Sequence, residues 1–72
     1  MEMLTVNSSA ALQVAYDCGT LFVQYIEGDW YKYFSVPRNV FEKLQRAESL
    51  GQFLNKEIKP KYLCQPCSNP RI

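Results

Sequence analysis

The chain contains no histidine. Without imidazole there is no Ser-His or Cys-His pair to activate a nucleophile. The acids do not compensate. Asp17, Glu27 and Asp29 fall in turns, while Glu42, Glu48 and Glu57 sit at helical positions beside bases. Glu42 and Arg46 stand four residues apart, the spacing of a surface pair on a helix. A paired-carboxylate hydrolase needs two acids on one cleft wall, and this pattern offers none. No enzymatic activity and no cofactor are expected. Long apolar runs are missing too: nothing approaches the roughly 20 residues that a membrane-spanning helix requires. The start, Met1-Glu2-Met3, lacks the basic segment of a signal peptide, so a cytoplasmic protein is expected. The three cysteines are an odd number in a chain with no sign of secretion, which argues against a disulfide framework.

What is present is a chain of 72 residues, 47% hydrophobic and 14% aromatic. That length suits one small domain with a thin margin of stability. The apolar content is too high for a disordered segment. Net charge is +1, but it is unevenly divided. Residues 1–36 hold one base against four acids, a net −3, and residues 37–72 hold seven bases against three acids, a net +4. The second half could face something anionic, or simply present a solvated helical surface.

Met1 to Asn7 reads as a lead-in. Leu12 to Tyr16 alternates as a strand does. Asp17-Cys18-Gly19-Thr20 is a turn, with Gly able to take positive φ. Leu21 to Ile26 is a second strand, rich in β-branched and aromatic residues. Glu27-Gly28-Asp29 turns again, into a third strand from Trp30 to Phe34. Two short connections imply an antiparallel meander. The period then changes. Pro37 suits a first helical position, and Val40, Phe41, Leu44 and Ala47 predict a helix over 37–47. Ser49 is placed to cap a second helix carrying Leu50, Phe53, Leu54 and Ile58, ended by Pro60. Gly51 in its first turn suggests a close backbone approach. Residues 63–72, with Pro66 and Pro70, read as an extended tail after a domain of residues 1–62. The expected class is α+β: a three-stranded antiparallel meander followed by two short helices packed on one sheet face.

Alternation sorts the faces. Leu12, Val14, Tyr16, Leu21, Val23, Tyr25, Tyr31 and Tyr33 would face the helices. Gln13, Ala15, Phe22, Gln24, Ile26, Trp30, Lys32 and Phe34 would form the outer face. That outer set is too apolar for an open surface, and such a patch usually has a partner.

The ordered set Val6-Asn7-Ser8-Ser9, Val14-Ala15-Tyr16-Asp17, Leu21-Phe22-Val23, Gly28-x-x-Tyr31-x-Tyr33-x-x-Val36-Pro37, Phe41, Leu44, Ala47-x-Ser49-x-Gly51-x-Phe53-x-Asn55-x-x-Ile58 and Tyr62 resembles the KTSC domain family. The likeness covers roughly residues 6 to 62. It implies a compact α+β domain, of the kind found at the C-terminus of some lysyl-tRNA synthetases and as small free-standing proteins in bacteria and phages. It implies no defined activity. The link to a tRNA synthetase suggests a module that contacts RNA or protein. Leu63-Cys64-Gln65-Pro66-Cys67 lies outside the pattern.

Three kinds of contact are open to such a chain. The first is self-association, or another protein contact, through an interaction surface of Phe22, Ile26, Trp30, Lys32 and Phe34. The second is RNA, with Trp30 and Phe34 stacking on bases and Lys32, Lys56, Lys59 and Lys61, joined by Arg71, holding phosphates. The third is a metal, since Cys64-x-x-Cys67 has the spacing of half a zinc site. Cys18 is the only other cysteine, so a closed site would need two chains, and the alternative is a tail with two free thiols. Tyr16, Tyr31 and Tyr33 could also form a cleft with Ser49 and Asn55, or merely satisfy their hydroxyls inside the domain.

Overall fold

The computed structural model describes residues 2–6 and 8–70. Met1, Asn7, Arg71 and Ile72 lie outside the described residues, and with them the expected phosphate contact at Arg71. The elements are β1 (Glu2–Thr5), β2 (Ala11–Asp17), β3 (Thr20–Tyr25), β4 (Trp30–Tyr33), α1 (Arg38–Arg46), α2 (Leu50–Phe53) and β5 (Cys64–Cys67). All pairings are antiparallel, and the five-stranded sheet runs in the order β1-β2-β3-β4-β5. The α+β class is as expected, but the sheet is wider. The lead-in contributes β1. The segment read as an extended tail contributes β5, which returns after the helices to pair with β4.

Local chemistry explains the connections. Cys18 and Gly19 both have positive φ, 47° and 85°. Two such residues between paired strands make the mirror-image turn that matches the twist of a hairpin. The β3–β4 loop is closed by Tyr25 N–H to Asp29 C=O (2.9 Å) and Gly28 N–H to Tyr25 C=O (2.8 Å), with Gly28 at φ 103°. After β4, Ser35 takes a left-handed conformation (φ 58°), and Val36 N–H bonds Gly19 C=O at 2.7 Å. Pro37 is the residue just before α1 rather than its first member, with ψ 150°.

Ser49 accepts a hydrogen bond from Gln52 N–H at 3.3 Å, the expected cap. The helix then widens into a π-helical turn over Leu54–Ile58, closed by Lys59 N–H to Leu54 C=O at 2.8 Å. A Cβ on Gly51 would come within 3.0 Å of the Ala10 Cβ. The glycine permits the close approach of this helix to the chain entering β2.

The core lies between the helices and one sheet face. Val14, Tyr16, Leu21, Val23 and Tyr33 of the sheet meet Val36, Phe41, Leu44, Leu54 and Ile58. Burying each large aliphatic or aromatic side chain is worth roughly 1.5–3 kcal/mol. Tyr16 lies flat on Phe41, centroids 4.8 Å apart, and its hydroxyl donates to Val36 C=O at 2.6 Å. Arg38 stacks over the outer side of Tyr16 at 5.9 Å and holds Glu2 with two hydrogen bonds, tying β1 to α1. One expected core residue is displaced. The β2–β3 register shifts between Ala11 and Gln13, so Ala11 enters the core and Leu12 stands 38% exposed. A bulge inserts an extra residue and breaks the simple alternation from which Leu12 was assigned.

Candidate functional site

Residues opposite each other in neighbouring strands share a sheet face, so the register defines two surfaces. Met3, Ala15, Phe22, Lys32 and Gln65 form one row of the outer face, and Thr5, Gln13, Gln24, Trp30 and Cys67 form the next. Among the described residues, the helices pack against the other face. Phe22, Lys32 and Phe34 are half-buried, and Ile26, in the loop after β3, is 49% exposed. The Lys32 ammonium lies 5.6 Å from the centre of the Phe34 ring. A cation over a ring face is held by the ring quadrupole, weakly where water has access. Ala15 is fully buried although it belongs to this face, flanked by Met3 and Phe22 in its row.

Trp30 departs from expectation. It is only 6% exposed. The register sets it opposite Cys67 on one side and Gln24 on the other, so the returning strand β5 closes its flank. A ring covered by its own chain does not offer a face for stacking or docking. Of the five residues expected to form an interaction surface, Phe22, Ile26, Lys32 and Phe34 keep accessible area and Trp30 does not. Gln24 fixes the neighbouring loop: it accepts from Gln13 at 3.2 Å and donates to Gly28 C=O at 3.1 Å.

The two cysteines of Cys64-x-x-Cys67 are separated by the sheet itself. Cys64 is opposite Tyr33 on the helix-facing side, and Cys67 is opposite Trp30 on the outer side. In a strand, residues three apart point to opposite faces, so the two thiols do not converge on one metal or on each other. Cysteine spacing suggests a metal hook when the segment is a turn, and here it is a strand. Partial burial pushes the Cys67 thiol above its usual range.

The lysines expected to meet phosphate are exposed, but not together with the outer-face rings. Lys56 lies within the π-helical turn and Lys59 follows it, on the helix side of the sheet. Lys61 donates to Glu57 at 2.8 Å, so its charge already has a partner. Lys59 is placed over the ring of Tyr25 at 5.0 Å.

The tyrosines are gathered differently from the expected cleft. Tyr16 is committed to Val36 and Phe41, Ser49 caps its helix, and Asn55 is exposed. Tyr31 and Tyr33 instead join Tyr25. The Tyr25 and Tyr33 hydroxyls are 2.6 Å apart, and Tyr31 meets Tyr25 edge to face at 5.6 Å. Burial raises the pKa of both paired phenols, and for Tyr25 the bond to Tyr33 adds to the effect. Strand parity already placed these three tyrosines on one face. The approach of Lys59 was not visible, because it depends on how the π-helical turn crosses the sheet.

The model of the KTSC domain matches residues 7–62 of this chain. The chain belongs to the KTSC domain family. The match covers the stretch that carried the resemblance and stops before β5. A protein of Tsukamurella paurometabola is 39% identical over 62 residues, covering 83% of this chain and 92% of that protein. A lysine–tRNA ligase of Nostoc punctiforme is likewise 39% identical over 62 residues, but these make up only 11% of the ligase. Among solved structures, a KTSC domain protein from Yersinia pestis superimposes with a TM-score of 0.87 at 32% identity, covering 93% of this chain and 97% of that one. The KTSC domain therefore occurs both nearly alone and as a small part of a much longer protein. No described helix is long and apolar enough to cross a membrane.

Proposed function

We propose that this KTSC domain is a non-enzymatic interaction module that associates with a second copy of itself through the outer sheet face. The observation that carries the reading is the part of that face where the half-buried Phe22 and Phe34 flank Lys32 and where, among the described residues, no helix joins them. An apolar patch of this kind on a small domain usually has a partner. Lys32 is the only charge in the two rows defined by the register, and it lies over Phe34, so two such faces can meet without a row of like charges. Relatives such as the Tsukamurella protein are almost entirely this domain, so little else in their chains is available to cover the face.

Sedimentation equilibrium at micromolar concentration tests the reading, with Phe22→Glu as the perturbing variant. The expected result is a dimer that dissociates in Phe22→Glu while the fold persists. A monomer at all concentrations overturns it.

The lysine–tRNA ligase relatives support a second reading, an RNA-contacting module. Phe22, Phe34 and Lys32 would serve on one side of the sheet, or Lys56, Lys59 and Lys61 on the other. The split between the two sides and the Glu57–Lys61 pair weigh against strong affinity. A salt titration with tRNA and single-stranded RNA separates the readings. Phosphate contacts give binding that falls steeply with salt, and no shift at low salt removes this alternative.

A further inference from the structure

On the helix-facing side of the sheet, away from Phe22 and Phe34, a cavity of about 410 Å³ is lined by Tyr25, Glu27, Tyr31, Tyr33, Lys59 and Cys64. That size is within the range of small-molecule sites, which combine apolar walls with a few fixed polar groups. The walls here are tyrosine rings, set edge to face. The polar groups are of three kinds. Lys59 brings an ammonium, placed over Tyr25 and in no ion pair among the described residues. Glu27 brings an exposed carboxylate, also without an ion pair among them. The Tyr25–Tyr33 hydroxyl pair spends one proton on its mutual bond, leaving the other phenol with a proton to donate. The cavity thus holds one positive and one negative charge that do not neutralise each other, above an aromatic floor.

We propose that this cavity binds a free α-amino acid. Its carboxylate is held by the Lys59 ammonium and the spare phenol proton. Its ammonium is held by the Glu27 carboxylate, since the Tyr25 ring is already taken by the Lys59 ammonium at 5.0 Å. Its side chain lies against Tyr31. The charge pattern selects a zwitterion: a purely anionic ligand is opposed by Glu27 and a purely cationic one by Lys59. The site is independent of the outer face, so its fate and that of self-association are decided separately.

The experiment is a titration of the whole chain with L-lysine, L-glutamate, L-leucine and L-tyrosine, each alone, followed by NMR on the tyrosine ring resonances. The expected result is a saturable shift for at least one of the four at millimolar concentration, seen at Tyr25, Tyr31 and Tyr33 but not at Tyr16. Lys59→Gln and Glu27→Gln should each weaken binding about tenfold or more, the weight of one charge-assisted hydrogen bond. Both side chains are exposed, so the variants keep the fold, which Trp30 emission verifies. The N-acetylated amide of the same amino acid, which lacks both charges, should not bind. The proposal is overturned if none of the four shifts the rings saturably, if neither variant weakens binding, or if the amide binds equally well.

Discussion

Ending the chain after Tyr62 removes β5 and uncovers Trp30, and the cost can be worked out. A buried tryptophan removes about 150–250 Å² from water. If losing one flanking strand re-exposes about half of that, ~100 Å² at ~25 cal/mol per Å² costs about 2.5 kcal/mol. Two further effects nearly cancel. Freeing four strand residues returns roughly 1–2 kcal/mol of backbone entropy apiece. Against that stand the lost strand hydrogen bonds, with that from Phe34 N–H to Leu63 C=O, each worth about 1 kcal/mol net. The shortened domain should therefore be about 2–3 kcal/mol less stable, which at about 4–8 °C per kcal/mol lowers Tm by some 10–20 °C in a domain of this size. Trp30 is the only tryptophan, so its emission reports the event without labelling. The full chain should emit as a buried indole and the shortened chain should shift toward the red while near-native secondary structure remains. Unchanged emission together with a stability loss under about 0.5 kcal/mol would show that β5 does not cover the ring, and would refute the burial argument.

Other outcomes follow from single groups. Tyr16→Phe strands the buried Val36 carbonyl, which Tyr16 reaches at 2.6 Å. A cost of about 1–3 kcal/mol in urea denaturation is expected, with the denaturant slope unchanged. The phenols of Tyr25 and Tyr33 hold their protons more tightly in the folded chain than in the unfolded one, chiefly because of burial. Their contribution is therefore fully present below the ordinary phenol value of 10.0 and is lost as pH rises above it. Thermal melts from neutral to strongly alkaline pH should show this decline, and Tyr25→Phe should flatten it.

The middle of the sheet was legible because its residues alternate and its turns carry Gly19 and Gly28. Val14, Tyr16, Leu21, Val23 and Tyr33 were assigned to the core and lie there. The helices were legible from Phe41, Leu44, Leu54 and Ile58, all buried, and from the Ser49 cap. The two outer strands were not. In β1 and β5 most side chains are exposed, so neither shows the period that betrays a half-buried strand. In β5, Pro66 read as a breaker, although proline is tolerated on an edge strand where its missing N–H faces solvent. Missing β5 had a direct effect on the site, because that strand runs beside Trp30 and sends Cys64 and Cys67 to opposite faces. The outer-face residues Phe22, Lys32 and Phe34 were identifiable from parity alone. The cavity around Tyr25 was not, since it needs Lys59, 34 residues away in the chain.

The position of β5 in the chain also bears on how the domain is made. The first four strands run in chain order, each able to pair with its predecessor as it is synthesised. The strand that completes the sheet comes only after both helices. Between the end of β4 and the start of β5 the ribosome adds residues 34–63, which at roughly 5–20 residues per second takes about two to six seconds. Through that interval the outer edge of β4 has no partner and Trp30 is not yet covered. An open strand edge beside an apolar ring is a template for mispairing with a neighbouring nascent chain. Completing the sheet late therefore leaves β5 with a second task, to close the β4 edge beside Trp30.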